Sequence, residues 1–316
     1  MPEPLRLPRS LRLLVAEGEP PETRERRRES VGRSSGETYV DLLAQLAPEA
    51  RIDRVTPTDG ERRTPDLGSV ADYHAVFLTG SPLHLWKETP EGRRQVEFMR
   101  AVFDAGVPAF GSCAGLQVAT VAAGGSVRPM RVMETGFARR ITPTQAGAAH
   151  PMLQGRPSAY DAPAIHTDEV EALPDGATLL ACNTSCAVQA AQIRSGAGVF
   201  WGAQYHPEIS LAEVAAALRR QSDSLIKAGF ARSPEELESH VALIDELHLE
   251  PRRRDLCWRL GLDRQVTDPD LRTLELKNFL TSVIAPARPW SELCAPTTGL
   301  PQLDDGFEGQ RPAGDD

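Results

Sequence analysis

Three short runs in this 316-residue chain hold residue types that could do chemistry together. The first, Gly111-Ser112-Cys113-Ala114-Gly115-Leu116-Gln117, sets a cysteine between an apolar run, Val107 to Phe110, and a helical one, Leu116 to Ala123. Strand, cysteine, helix is the context of a nucleophile elbow, with Cys where Ser is usual. Glycines relieve the crowding that so tight a turn imposes. The helix N-terminus would point at Cys113, and its partial positive charge favours a thiolate and later an oxyanion. A lone cysteine is more often a buried structural thiol, and it is the elbow context that tells against this here.

The second run, Gln204-Tyr205-His206-Pro207-Glu208, follows the strand-like Val199 to Ala203. His206 could take the thiol proton and return it to a leaving amine. Glu208 could orient the ring and stabilise its cation, with Pro207 stiffening the link. The third run, Thr79-Gly80-Ser81-Pro82, ends the strand-like Ala75 to Leu78. Alone it is a common turn. Beside an elbow, its backbone N–H groups and that of Ala114 would make an oxyanion hole.

The elements that must position these runs follow from periodicity. Leu11 to Ala16, Arg51 to Thr56 and Ala75 to Leu78 read as strands, and Thr38 to Leu46 as a helix. Glu91 to Ala105 reads as a second helix, with Val96, Met99, Val102 and Phe103 on one face and Gly106 as its stop. The polar stretch Glu17 to Glu37 reads as a long loop, and its basic run, Arg24 to Arg28, as a solvated part of it. Strands alternating with helices argue for a parallel sheet covered on both faces. Thr178 to Ala181, Val188 to Ile193 and Val199 to Ala203 add further strands, and this α/β domain spans 1–212. Leu211 to Ala228 is helical, and Ser233-Pro234-Glu235-Glu236 holds an N-cap, a first-turn proline and a capping-box Glu. A last helix starts at Asp268-Pro269, with Leu276, Phe279, Leu280 and Val283 as its apolar stripe. Residues 213–285 are therefore a helical extension, expected to cover a sheet edge or to dock a partner. Residues 286–316, rich in Pro, Gly and Asp, are expected to be a flexible tail.

Bulk properties exclude other classes. With 41% hydrophobic and 25% charged residues the chain has the balance of a soluble globular protein. No apolar run is long enough to cross a bilayer, and Met1 to Ser10 lacks the apolar core of a secretory signal. A net charge of −9 argues against a nucleic-acid partner. Five cysteines, at 113, 182, 186, 257 and 294, form an odd set that points to free thiols and a reducing, cytoplasmic setting. Cys182 and Cys186 lack a second pair at zinc spacing, so they read as buried thiols and no metal is expected.

Taken together, Gly-x-Cys-x-Gly-x-Gln at 111–117 and His-Pro-Glu at 206–208 resemble the class I, triad-type glutamine amidotransferases. The standalone members related to the glutaminase part of GMP synthase look closest, and the similarity runs from about Leu11 to Ser210. The resemblance implies a flavodoxin-like α/β fold: an open, mostly parallel sheet with helices on both faces and the elbow at a strand's C-terminal end. It implies Cys113 as nucleophile, His206 as base and Glu208 as orienting acid. Ser81 takes the place where the family often has a second Gly, and would form the oxyanion hole with Ala114. Gly80, Gln117 and His166, the last within His166-Thr167-Asp168, would contact substrate. Ala114 stands where many members have a larger residue, which widens the pocket.

The implied reaction is cleavage of the γ-amide of glutamine through a γ-glutamyl thioester, releasing ammonia and glutamate without a metal or organic cofactor. An alternative is a γ-glutamyl peptidase or hydrolase acting on γ-glutamyl amines or peptides. A third is a non-catalytic binding module on the same fold. The substrate partner is thus glutamine or a γ-glutamyl small molecule. The chain has no Gly-x-x-x-x-Gly-Lys-Ser/Thr loop, so an ammonia acceptor would be a separate synthetase subunit.

Overall fold

The computed structural model describes residues 11–59 and 67–284; the expected tail 286–316, Cys294 and Met1 to Ser10 lie outside them. In chain order the elements are β1 (Arg12–Ala16), α1 (Pro21–Val31), α2 (Ser35–Leu46), β2 (Arg51–Val55), β3 (Ala75–Leu78), α3 (Pro90–Asp104), β4 (Ala109–Ser112), α4 (Ala114–Ala122), β5 (Ser126–Glu134), β6 (Phe137–Pro143), α5 (Gln145–Ala149), β7 (Tyr160–Pro163), β8 (His166–Ala172), β9 (Thr178–Cys182), β10 (Ala190–Ser195) and β11 (Gly198–Ala203). Then come α6 (Leu211–Arg220), α7 (Ser222–Lys227), α8 (Pro234–Leu249), α9 (Arg254–Leu260), α10 (Arg264–Thr267), α11 (Pro269–Arg272) and α12 (Leu274–Ile284). Among the described residues no helix is long and apolar enough to cross a membrane.

Nine strands form one sheet in the order β2-β1-β3-β4-β11-β10-β9-β6-β7. The first five run parallel and the remaining neighbours antiparallel. This is the expected flavodoxin-like α/β sheet, extended by an antiparallel half. Because β1, β3, β4 and β11 are parallel, the loops that leave their C-terminal ends all emerge at one edge. Those loops hold Glu17 to Glu19, Gly80-Ser81, Cys113 and His206 to Glu208.

Alternation along each strand divides the core into two faces. Leu14, Val76, Leu78, Ala109 and Phe200 join Phe98, Met99 and Val102 of α3 and Leu116 and Ala119 of α4 in one cluster. On the other face Phe77, Phe110 and Trp201 stand side by side in register across β3, β4 and β11. Phe279 of α12 packs on all three, with ring centroids 5.4, 5.6 and 5.6 Å away, and Tyr39 of α2 meets Phe77. The last helix therefore covers a sheet face under the site loops, where the sequence suggested a sheet edge. α6 to α10 add a third cluster, including Val214, Leu218, Val241, Ile244, Leu256 and Val266, which also takes in Phe137 of β6.

Several expectations need correction. Glu17 to Glu37 is not a loop but contains α1, a helix without an apolar stripe. Ion pairs hold it: Arg24 with Asp59 at 2.6 Å, both nearly buried, Arg27 with Glu213 at 3.0 Å, and Arg28 with Glu37 at 2.6 Å. Leu211 to Ala228 breaks at Gln221 into two helices, and the helix begun at Asp268-Pro269 breaks at Thr273. His166-Thr167-Asp168 opens strand β8 and is not a loop.

Phe279→Ala removes the ring shared by three strands. It should lower the unfolding free energy by about 3–5 kcal/mol. Trp258→Ala, at an 85% exposed side chain, should stay within about 0.5 kcal/mol. Urea titration checks both, and equal midpoints would contradict the packing role of α12.

Candidate active site

Cys113 lies between the end of β4 and the start of α4, with φ 54° and ψ −111°. Only one other described non-glycine residue, Arg140, has positive φ. Such a backbone costs of order 1–3 kcal/mol and persists only where the surroundings over-determine it. Here the N–H of Cys113 is tied to the Ala203 carbonyl at 2.7 Å, so β11 holds the elbow from the side. Gly115 allows the turn to sit against β3, since a Cβ there would come within 2.7 Å of the Leu78 carbonyl oxygen. Cys113 is only 6% exposed, and all four described cysteines are free.

His206 is fixed through backbone and side chain. Its N–H donates to the Pro163 carbonyl at 2.7 Å, and its Nδ1 meets Glu208 Oε1 at 2.7 Å. The other Glu208 oxygen accepts the Ser112 hydroxyl at 2.8 Å, and the Tyr39 hydroxyl in turn meets Ser112. Burial works against a charged His206 ring, but the Glu208 carboxylate, followed by the Cys113 sulfur, raises its pKa to about 10. An Nδ1–H held by Glu208 leaves Nε2 for the thiol, the arrangement in which a ring accepts and returns a proton.

Gly80 marks where the three loops meet. A Cβ on it would lie 2.8 Å from His206 Cε1 and 3.7 Å from the Cys113 Cβ. No side chain fits between the Gly80-Ser81 loop and the imidazole. Ser81 does not need the glycine its place often holds, because its φ is not positive. Neither the Ser81 N–H nor the Ala114 N–H has an acceptor among the described residues.

Gly80, Ser81, Cys113, His206 and Glu208 line one cleft of about 320 Å³, a volume suited to a small molecule. Two of the substrate-contact candidates, Gln117 and His166, do not line it. The Gln117 amide donates to the Asp168 carbonyl at 3.0 Å and to Gln204 Oε1 at 3.2 Å. His166 is bound on both ring nitrogens, to Glu134 at 2.8 Å and to the Asp168 carbonyl at 3.0 Å. Asp168 also meets His84 at 2.7 Å, which ties the segment after Ser81 to β8. The structure thus brings these residues together as a buried frame behind the cleft.

Sequence reasoning missed Tyr39 and Ser112, which support Glu208, and the charged wall of the cleft on α1 and α6. Ser112 sits inside the elbow motif, where its place before the cysteine was a usable signal. A larger groove of about 1210 Å³ on the helical extension has Cys257 but no histidine beside it. No group of three or more His, Cys, Asp or Glu among the described residues could hold a metal ion.

Residues 34–222 match the family described as glutamine amidotransferase class-I. The chain is 34% identical over 283 residues to a gamma-glutamyl-L-1-hydroxyisopropylamide hydrolase from a Pseudomonas species, covering 87% of this chain and 94% of that protein. It is 33% identical over 175 residues to the glutamine-hydrolysing GMP synthase of Mycolicibacterium paratuberculosis, covering 55% of this chain but only 30% of that enzyme. In solved structures it resembles a glutamine amidotransferase from Thermotoga maritima, with a TM-score of 0.58 and 17% identity over 87% of this chain and 98% of the other. A glutamine amidotransferase from Methylobacillus flagellatus gives 0.57 and 17%, over 86% and 93%. At such identities the structural likeness is one of fold.

Glu208→Gln removes the group that does most to hold the imidazolium. The His206 pKa should fall from about 10 toward or below its ordinary 6.5, read from the ring proton shifts. The folded value is raised, so the ring's contacts stabilise the wild-type fold fully below about pH 6.5 and are lost as pH rises through about 10. The stability gap between wild type and variant should shrink over that interval. A variant whose ring still titrates near 10 would contradict the role given to Glu208. Gly80→Ala should displace the ring and cut turnover of any Cys113-dependent substrate by about 100-fold, with the melting temperature little changed.

Proposed function

The chain belongs to the class-I glutamine amidotransferases, and we propose that within this family of C–N hydrolase type it cleaves γ-glutamyl amides with a substituted nitrogen, using Cys113, His206 and Glu208. Family membership sets aside the reading as a binding module. The observation that favours the amide hydrolase is one of extent. The Pseudomonas hydrolase matches over 87% of this chain, whereas the GMP synthases match over roughly half of it. The cleft agrees with it. Ala114 adds little bulk beside Cys113, and space continues outward between α1 and α6 for a substituent on the nitrogen.

The chemistry then runs in two balanced halves. The Cys113 thiolate attacks the γ-carbonyl carbon, and the oxyanion is held by the N–H groups of Ser81 and Ala114. The His206 imidazolium gives its Nε2 proton to the departing nitrogen, the C–N bond breaks, and a γ-glutamyl thioester remains on Cys113. His206 takes a proton from water as the water attacks the thioester. The C–S bond breaks, glutamate leaves, and thiolate and imidazolium are restored. Glu208 keeps the ring aligned throughout and shares its positive charge. No step draws on a metal or organic cofactor.

A second reading has its own support. The similarity to GMP synthases fits a glutaminase that hands ammonia to a separate synthetase subunit. Substrate preference separates the two. On γ-glutamyl-isopropylamide the purified protein should reach a kcat/KM roughly 10–200-fold above that on glutamine. Cys113→Ala should lower it by at least about 1,000-fold. A preference for glutamine would sink the amide-hydrolase reading and leave the glutaminase.

A further inference from the structure

The cleft over Cys113 extends past the site described. Its outer wall, built by α1 and α6, adds Arg26, Arg27 and Arg220, with Glu19 and Glu213 between them. Both carboxylates are already engaged. Glu19 accepts the backbone N–H of Ser35 at 3.0 Å. Glu213 accepts Arg27 at 3.0 Å, the Thr38 hydroxyl at 2.8 Å and the Ser210 N–H at 2.8 Å.

The guanidinium groups are not matched in the same way. Among the described residues Arg220 has no carboxylate within ion-pair reach and donates only to the Ser30 hydroxyl, at 2.7 Å. Arg26 has only a solvent-exposed pair with Glu22 at 4.0 Å. The Nε of Arg27 is buried without an acceptor, although its side chain is only 13% exposed. An enclosed donor without a partner is costly, more so on a charged group, and calls for an explanation. Burial and then the neighbouring Arg27 charge lower the pKa of Arg220, against the opposing pull of Glu19 and Glu213, so the two cations act on one another. One anion between them would relieve both costs. Arginine's planar fork is suited to a carboxylate in particular.

The geometry points to a carboxylate-binding subsite, formed by Arg27 and Arg220, that holds a carboxylate of the substrate while its γ-amide lies at Cys113. The inference rests on the γ-glutamyl reading for its ligand. Such substrates offer two sources of the same chemistry: the α-carboxylate of the glutamyl group, and a carboxylate on the leaving amine where that amine is an amino acid.

Two substrates and two variants test it on the full chain. γ-Glutamyl-isopropylamide has only the α-carboxylate, and γ-glutamylglycine has both. Arg220→Gln removes that residue's charge without touching the core. Arg27→Lys keeps the charge that pairs with Glu213 but loses Nε and the fork. Each should raise KM roughly tenfold or more, with kcat within about twofold. A rise with both substrates places the α-carboxylate in the subsite, and a rise with γ-glutamylglycine alone places the leaving amine's carboxylate there. Unchanged KM for both substrates overturns the subsite. Failure of the hydrolase reading would show separately, as no Cys113-dependent turnover of either substrate. The subsite would then stand or fall on calorimetric binding of γ-glutamylglycine, with equal affinities of wild type and Arg220→Gln overturning it.

Discussion

The carboxylate of Glu208 is the charge around which this site is arranged. It is 8% exposed, so it is costly unless it is paired and hydrogen-bonded. His206 Nδ1 takes one oxygen at 2.7 Å and the Ser112 hydroxyl the other at 2.8 Å, with Tyr39 behind Ser112. Satisfying that one buried anion therefore fixes the face and protonated edge of the imidazole. It also ties the residue before Cys113 to the residue two after His206. The parallel register of β4 and β11 makes this possible, because Ser112 pairs with Ala203 and both loops leave the sheet at the same height.

The helical extension contributes to the same arrangement. Phe279 packs under β3, β4 and β11, the strands that lead into Gly80, Cys113 and His206. Glu275, one turn earlier on α12, accepts the Tyr205 hydroxyl at 2.7 Å and pairs with the buried side chain of Arg156 at 2.7 Å. Tyr205 immediately precedes His206, and its hydroxyl also meets Tyr160 of β7. A buried pair of this kind is weak support for stability in itself, but removing one partner strands the other. The last helix is thereby built into the frame of the site.

Much of this was legible in the sequence, for local reasons. Cys113 between glycines, after an apolar run and before a helical one, is a pattern set by backbone sterics within seven residues. His206 and Glu208 are two apart in sequence as they are in space. What stayed hidden depends on distant partners. α1 has no apolar period, and Asp59, Glu213 and Glu37, which hold its arginines, lie 35, 186 and 9 residues away. Strands β5 to β8 mix charged and apolar residues because much of β5 faces outward, and Arg140 at φ 52° breaks their alternation. Gln117 and His166 were read as substrate contacts; that both hydrogen-bond to the Asp168 carbonyl, behind the cleft, could be seen only once β8 was placed.

In the proposed reaction Cys113 carries the γ-glutamyl group between the two halves. Rapid acid quenching during turnover of γ-glutamyl-isopropylamide, followed by peptide mass spectrometry, tests it directly. The expected result is a mass gain of one γ-glutamyl group on the peptide containing Cys113, absent in Cys113→Ala. A glutamyl adduct on another residue during turnover, or turnover that persists in Cys113→Ala, would contradict it.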